Sequence, residues 1–297
     1  MKLLRTPDER FENLPDFPFE PHYVEVDEIR IHYLDEGPKS EEIVLLMHGE
    51  PSWSFLYRYM IPVLVKASYR TLAPDLVGFG RSDKPTEQND HNYLKHVEWI
   101  TKWVKILDLQ NITLFCQDWG SLIGLRVAIE NQDRFKRIVL SNGGLPTGRE
   151  KLSKAFMDWQ EFSRTANKFY VGRIMQEGTV TKLPRDVINA YNAPFPDDSF
   201  KAGARILPSL VPTSKNDPEH ERNKKAIDMF FKWEKPFLTA FSDNDPITRG
   251  GDRLWKDFVP GAKGQNHTTI KNAGHFVQED KGPELAEIII EFIKKNP

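Results

Sequence analysis

The most informative stretch of this chain is Ile112-Thr113-Leu114-Phe115-Cys116-Gln117-Asp118-Trp119-Gly120-Ser121. A continuous apolar run passes directly into the start of a helix, and the turn between them places Cys116 and Gly120 on either side of Asp118. This is the strand–turn–helix arrangement of a nucleophile elbow, in which a tight turn lifts one side chain above a sheet. No Gly-x-Ser-x-Gly pattern occurs in the chain. The residue predicted at the apex is therefore a carboxylate and not a serine.

A carboxylate at this position suggests a particular chemistry. It is ionised at neutral pH, so Asp118 can attack a saturated carbon directly and form an alkyl ester, which water must then open. A serine would first need a base to remove its proton. The alternative for Asp118 is an ordinary helix N-cap at the start of the helix predicted over 121–131, and the five-residue pattern alone does not exclude it.

The surrounding sequence alternates strand and helix patterns. Apolar or alternating runs predict a hairpin over 22–26 and 30–34 and strands over 43–47, 70–73, 112–116 and 137–140. Helical spacing predicts helices near 55–66, over 92–107 and over 121–131. Strands that alternate with helices indicate an α/β fold with a mostly parallel central sheet flanked by helices.

The pattern changes between residues 146 and 221, where no strand-like run occurs. Strand patterns resume at 237–241 and 267–270, and an amphipathic helix is predicted over 284–294. We therefore predict a core domain formed by 1–145 and 222–297, with a helical cap domain, 146–221, inserted between the two parts.

Two further side chains follow predicted strands. Asp245 comes after the strand at 237–241, and His275 comes after the last strand. Open α/β sheets place catalytic groups at these strand ends, and the order Asp118, Asp245, His275 is that of nucleophile, acid and histidine in an elbow enzyme. Asp245 is expected to orient His275, which would deprotonate water. Asp243 is the second choice for the acid.

A His48-Gly49 pair follows the first buried strand. In elbow enzymes this loop supplies one oxyanion N–H, and the residue after the nucleophile supplies the other. The predicted donors are thus the main-chain N–H groups of Glu50 and Trp119. His48 itself is expected to brace the loop.

Composition excludes several classes of protein. The 297 residues carry 41 Lys and Arg against 43 Asp and Glu, a net charge of −2, which argues against a nucleic-acid-binding surface. The single cysteine, Cys116, allows neither an internal disulfide nor a thiolate zinc cluster, and the histidines show no metal-ligand spacing. No apolar run is long enough for a membrane span, and charge and proline break the N-terminus too early for a signal peptide. We expect a soluble cytoplasmic protein that contacts neither nucleic acid nor membrane.

The chain resembles the haloalkane dehalogenases of the α/β-hydrolase fold over about residues 20 to 295. The motifs that carry the resemblance are His48-Gly49-Glu50-Pro51, residues 75–85, Gln117-Asp118-Trp119-Gly120 and Gly274-His275-Phe276, with 156–159 and 193–196 in the cap. Epoxide hydrolases share several of these motifs, whereas Glu50 and the cap segments are more discriminating.

The resemblance implies hydrolysis of short haloalkanes to alcohol, halide and proton, through an ester on Asp118. It implies that Trp119 and Trp159 hold the halide, since an indole N–H is a donor and never an acceptor. It also implies a substrate pocket walled by Phe156, Leu207 and Pro208. The reaction requires no cofactor or metal, and the resemblance suggests a role in detoxification. A monomer is expected, although a homodimer is also compatible with the low net charge.

Two other functions remain open at this stage. Epoxide hydrolysis on the same scaffold needs an acid to protonate an alkoxide, and the cap offers only Tyr170 and Tyr191. A non-catalytic scaffold that binds a small ligand is the other alternative, although such proteins often lose a catalytic residue and all three positions are filled here. Packing onto the core is the alternative role for Trp159, Phe156, Leu207 and Pro208. The preferred halogen and chain length are not predicted.

Overall fold

A computed structural model describes all 297 residues. The ten strands are β1 (Leu3–Leu4), β2 (His22–Val26), β3 (Ile29–Glu36), β4 (Ile43–Met47), β5 (Arg70–Pro74), β6 (Lys84–Pro85), β7 (Ile112–Cys116), β8 (Phe135–Leu140), β9 (Phe237–Ser242) and β10 (Thr268–Ile270). The ten α-helices are α1 (Ile61–Lys66), α2 (Tyr93–Ile106), α3 (Trp119–Glu130), α4 (Lys154–Thr165), α5 (Val171–Glu177), α6 (Arg185–Asn192), α7 (Ala202–Ile206), α8 (His220–Phe230), α9 (Asp252–Phe258) and α10 (Val277–Lys295). Short 3₁₀ turns occupy several of the connections.

Eight strands form the central sheet, in the order β10-β9-β8-β7-β4-β5-β3-β2. The six strands from β10 to β5 are parallel, and β3 and β2 add an antiparallel edge. The predicted α/β class, mostly parallel sheet and N-terminal hairpin are confirmed. Strands β1 and β6 form a separate two-stranded ribbon.

The sheet is buried on both faces, as the continuous apolar runs predict. In β4, Ile43, Leu45 and Met47 pack into the core on the side of α2 and α3, whereas Val44 and Leu46 pack into the core on the side of α1 and α10. Successive strand side chains point to opposite faces, so one five-residue run contributes to both cores.

The structure corrects two of the predicted helices. The helical stretch near 55–66 is a 3₁₀ turn over Ser54–Tyr57 followed by the separate helix α1. The final helix begins at Val277, before the predicted position, and Lys281 interrupts it with φ −142° and ψ 34°. Pro283 follows this break at the start of the longer segment, where its missing N–H breaks no helical bond.

Helices α4 to α8 lie between β8 and β9, and no strand interrupts them, as predicted for this part of the chain. No helix is both long enough and apolar enough to cross a membrane.

Candidate active site

Asp118 lies in the tight turn between β7 and α3, with φ 50° and ψ −132°. A non-glycine residue adopts a positive φ only where its surroundings enforce it. Two glycines permit the turn: a Cβ at Gly49 would lie 2.2 Å from Asp118 Oδ1, and one at Gly120 would lie 2.0 Å from the Met47 carbonyl oxygen. The Asp118 side chain does not cap α3. The elbow therefore presents this carboxylate at the end of the sheet instead of using it in the helix.

His275 lies between two carboxylates. Its Nδ1 is 3.0 Å from Asp245 Oδ2, and its Nε2 is 3.4 Å from Asp118 Oδ2. Asp245 is itself held in place, because it accepts a hydrogen bond of 2.8 Å from the Ile247 amide and another from the Thr248 hydroxyl. The loops after β7, β9 and β10 thus bring the three sequence-predicted residues together, with His275 between the two carboxylates.

Asp243, the second choice for the acid, does not contact His275. Its carboxylate accepts a hydrogen bond of 2.7 Å from the Asn244 side chain and lies 4.0 Å from the Lys271 ammonium group. The geometry therefore selects Asp245 of the two aspartates.

Burial and neighbouring charges shift the pKa values of His275 and Asp245. Burial alone would lower the pKa of His275, but the carboxylates of Asp245 and Asp118 more than offset this and raise it to about 10. Burial would raise the pKa of Asp245, but His275 and the hydrogen bonds to Asp245 lower it to about 2. In the free site, the imidazole is thus held in its charged form.

One of the two predicted main-chain donors contacts Asp118. The Glu50 amide donates to Asp118 Oδ1 at 2.7 Å. Trp119 is the first residue of α3, so no carbonyl of the helix accepts from its amide. His48 braces this region, since its Nε2 accepts from the Leu76 amide at 2.9 Å and its Nδ1 lies 2.9 Å from the Gly49 carbonyl oxygen.

The Glu50 side chain is also part of the site. It is 3% exposed and lines the same cavity as Asp118. Burial and then the charge of Asp118 raise the pKa of Glu50 well above its ordinary value, whereas His275 and the indole N–H of Trp159 act in the opposite direction. The sequence pattern assigned only a main-chain role to this residue.

A cavity of about 940 Å³ opens above Asp118. Trp119, Trp159, Phe156 and Pro208 line it, as the sequence predicted. Leu207 does not, so its assignment as a pocket wall is wrong. Leu207 is fully buried in the core, because it begins a 3₁₀ turn in which successive side chains point in different directions, and only Pro208 faces the cavity.

The two tryptophans reach the cavity from different helices, α3 and α4. The Trp119 ring packs edge-to-face against Tyr93, with a centroid distance of 5.1 Å. On α4, Trp159 stacks on Phe162 at 5.7 Å and contacts Phe169 at 5.8 Å. Trp159 therefore packs against its neighbours, which was its alternative role, and also lines the cavity close to Glu50.

Two residues near His275 were missed by the sequence analysis. Gln117 Nε2 lies 3.1 Å from His275 Nε2 and donates to the His275 carbonyl oxygen at 3.2 Å. Asn142 Nδ2 donates to the same carbonyl oxygen at 2.9 Å, while the Asn142 carbonyl accepts from the Asp118 amide at 3.0 Å. Asn142 follows β8, so the strand-end rule that identified Asp245 and His275 applied to it as well.

Neither cap tyrosine lines the cavity. Tyr170 is 53% exposed, and the buried hydroxyl of Tyr191 donates to the Glu279 carboxylate. Glu279 is also paired with the buried guanidinium group of Arg58, with 2.8 Å between Arg58 Nη1 and Glu279 Oε2. The acid that epoxide opening would need is thus not supplied by either tyrosine.

No group of three or more His, Cys, Asp or Glu side chains is arranged to hold a metal ion.

Comparisons with known proteins show which proteins this chain resembles. Residues 42–282 match the family model of the α/β-hydrolase fold. A haloalkane dehalogenase of Psychrobacter cryohalolentis is 56% identical over the full length of both chains. One from Mycobacterium marinum is 52% identical over 98% of this chain and 99% of its own. Among solved structures, the tetrameric haloalkane dehalogenase DpaA of Paraglaciecola agarilytica is 37% identical, with a TM-score of 0.88 and 97% of each chain covered.

Proposed function

The chain belongs to the haloalkane dehalogenases, α/β hydrolases that act on carbon–halide bonds, and we propose that it hydrolyses short haloalkanes in two steps on Asp118 and His275. The observation that carries this assignment is the placement of His275 between the Asp118 and Asp245 carboxylates, in a cavity lined by two tryptophans.

In the first step, Asp118 displaces the halide. The Glu50 amide holds Oδ1, so Oδ2 is the oxygen that attacks the carbon bearing the halogen. The new bond joins Oδ2 to this carbon, and the carbon–halogen electron pair leaves with the halide. The anion needs no proton, but it develops inside a largely apolar cavity. Indole N–H groups from Trp119 and Trp159 would stabilise it there, where a donor aimed at developing charge is worth more than in water.

In the second step, water opens the ester. His275 Nε2 accepts one proton of the water, and the water oxygen adds to the ester carbonyl carbon of Asp118. The main-chain N–H groups of Glu50 and Trp119 stabilise the resulting oxyanion. Collapse of this intermediate breaks the bond between the carbonyl carbon and the ester oxygen. The leaving alcohol carries this oxygen and takes the second water proton from the added hydroxyl group, and the water oxygen completes the Asp118 carboxylate. The regenerated Asp118 carboxylate then holds this proton on His275, whose earlier proton left to solvent once the ester had formed. Asp245 orients the imidazole throughout.

We further propose that residues 146–221 act as a cap over a core formed by 1–145 and 222–297. Support comes from the position of α4 to α7 between β8 and β9 and from the cavity-lining side chains that this segment supplies, among them Phe156, Trp159 and Pro208.

Halide release from a short terminal bromoalkane tests the reaction. We expect the wild-type protein to release bromide and the Asp118→Ala variant to release none. Asp245→Asn should be strongly impaired, whereas the matched control Asp243→Asn should not be, because Asp243 does not contact His275. Equal activity of the two asparagine variants would contradict the assignment of the acid.

The ester intermediate has a separate test. The His275→Phe variant should complete the first step only, so intact mass spectrometry after incubation with the bromoalkane should show one alkyl group per chain. A folded His275→Phe variant without this adduct would contradict the two-step reaction.

A monomer, a cytoplasmic location and a role in detoxification remain proposals from the sequence. Light scattering coupled to gel filtration tests the first, and cell fractionation tests the second. Growth of a deletion strain on haloalkane-containing medium tests the third.

A further inference from the structure

One carboxylate outside the catalytic residues joins the loop that carries His275 to the segment that follows α5. Asp280 Oδ2 accepts hydrogen bonds from the Gly274 amide at 2.8 Å and from the Val180 amide at 3.1 Å. Asp280 Oδ1 accepts from the Thr181 amide at 2.7 Å. Asp280 therefore binds the residue that precedes His275 and two residues that follow α5.

The two segments are also in close contact beside Asp280. The Phe276 amide donates to the Gly178 carbonyl oxygen at 3.1 Å. A Cβ at Gly178 would lie 2.6 Å from the Phe276 ring, and a Cβ at Gly274 would lie 2.5 Å from the Gly178 carbonyl oxygen. Residues 178–181, which we call the latch segment, thus lie directly against the backbone on both sides of His275.

The contact continues into the cavity. Gly178 and Val180 line it together with His275 and Phe276. The Phe276 ring, which the latch segment contacts, packs edge-to-face against the His275 imidazole at a centroid distance of 5.0 Å. A displacement of the latch segment would therefore reach the imidazole through Phe276 and through the Gly274 amide.

We propose that Asp280 is a positioning residue for the hydrolytic step: it ties the latch segment to the His275 loop and so holds the imidazole where it can deprotonate water. The inference rests on the proposed two-step reaction. Displacement of halide needs Asp118 and the two indoles, none of which contacts Asp280, whereas opening of the ester depends on the position of His275. Loss of Asp280 should then slow the second step and leave the first unchanged.

The test separates the two steps in rapid-mixing experiments with a terminal bromoalkane. In Asp280→Ala, both carboxylate oxygens are removed, so the bonds to Gly274 and those to the latch segment are lost together. We expect the first burst of bromide to keep its wild-type rate within about twofold. We expect ester hydrolysis to slow by roughly 10- to 100-fold, as for a small misplacement of a reacting group. Intact mass spectrometry should then show the alkyl adduct during turnover.

The matched control is Asp197→Ala. Asp197 also accepts a hydrogen bond from a backbone amide, that of Ser199 at 2.8 Å, but it does not line the cavity. This variant should hydrolyse the ester at the wild-type rate.

Gly178→Ala provides an independent variant that keeps Asp280. Gly178 has φ −90°, a value that alanine adopts freely, so the added methyl group acts only by pushing the latch segment away from Phe276. It should produce the same accumulation of ester.

The proposal is overturned if both steps slow in parallel, or if neither variant accumulates the ester. Failure of the proposed reaction itself has a different signature, because His275→Phe would then form no adduct either.

Discussion

Removal of the Asp118 charge should change the protonation of His275 in the free enzyme. The imidazole lies between Asp118 and Asp245, and its pKa is raised to about 10 although burial opposes the charged form. At neutral pH such a group is an imidazolium and cannot accept a proton from water. The Asp118→Ala variant removes one of the two charges that maintain this state.

The size of the effect follows from the distance between the two groups. Asp118 Oδ2 and His275 Nε2 are 3.4 Å apart, and both side chains are largely buried. At an effective dielectric constant of about 20, two unit charges at this separation interact with about 5 kcal/mol. This energy corresponds to roughly 3 to 4 pH units, and access of water to the cavity reduces it. We therefore expect the pKa of His275 to fall by at least about 2 units in Asp118→Ala.

The assay is a titration of the His275 ring followed by NMR, with the resonance assigned from its loss in His275→Phe. The wild-type protein, Asp118→Ala and the control Asp243→Asn would be compared over pH 5 to 11. The control should titrate like the wild-type protein, since Asp243 does not contact His275. A His275 pKa that is the same in Asp118→Ala and the wild-type protein would refute the electrostatic coupling.

The same coupling has a consequence for turnover. Formation of the ester neutralises Asp118, just as the variant does, so the first step itself should lower the pKa of His275 and convert it into a base. A base must be neutral, so the rate of ester hydrolysis should fall as the pH decreases through this lowered pKa. The first burst of bromide should not follow that profile, because it needs no proton transfer.

Three further predictions concern the halide site and the stability of the fold. Trp159→Phe removes one indole donor and should raise the activation free energy of bromide release by roughly 3–4 kcal/mol, as the loss of an oxyanion-hole donor does. An unchanged burst rate in stopped-flow measurements would contradict the role of Trp159. Glu279→Gln leaves the Arg58 guanidinium buried without its anion, so urea denaturation should show a loss of about 3–5 kcal/mol in the free energy of unfolding; a loss below about 1 kcal/mol would contradict this. The folded-state pKa of His275 lies above its ordinary value of 6.5, so its contribution to stability should be present below that pH and disappear as the pH rises toward 10. The pKa of Asp245 is lowered from 3.8 to about 2, so the contribution of Asp245 to stability should disappear as the pH falls through this range. Urea denaturation of the wild-type protein and of Asp245→Asn at each pH measures this contribution.

Most of the fold could be predicted from local patterns, and so could the three residues now seen in contact. A continuous apolar run bounded by turn residues predicts a buried strand whatever lies beside it, and β4 and β7 match their predicted bounds. The elbow is equally local, because the strained turn at Asp118 needs small neighbours that are visible in the sequence. The ends of parallel strands converge at one edge, so Asp245 and His275 could be expected near Asp118.

Side-chain contacts between distant segments could not be predicted in this way. Leu207 and Pro208 are adjacent in sequence, yet only Pro208 faces the cavity. The sequence leaves Tyr191 open as the acid for epoxide opening, whereas in the structure its hydroxyl donates to the Glu279 carboxylate. The bonds of Asp280 to residues about 100 positions earlier leave no local signal.

The sequence by itself therefore determined the α/β sheet, the carboxylate at the elbow and the strand ends that carry the acid and the histidine, because each depends on residue type and spacing within a short segment. Only the tertiary structure decided between Asp243 and Asp245, excluded Leu207 and both tyrosines from the cavity, and brought Gln117, Asn142 and Asp280 to the His275 loop. The physical reason is that the direction of a side chain depends on turn geometry and on packing against distant segments, and a change of one position turns it from the cavity to the core.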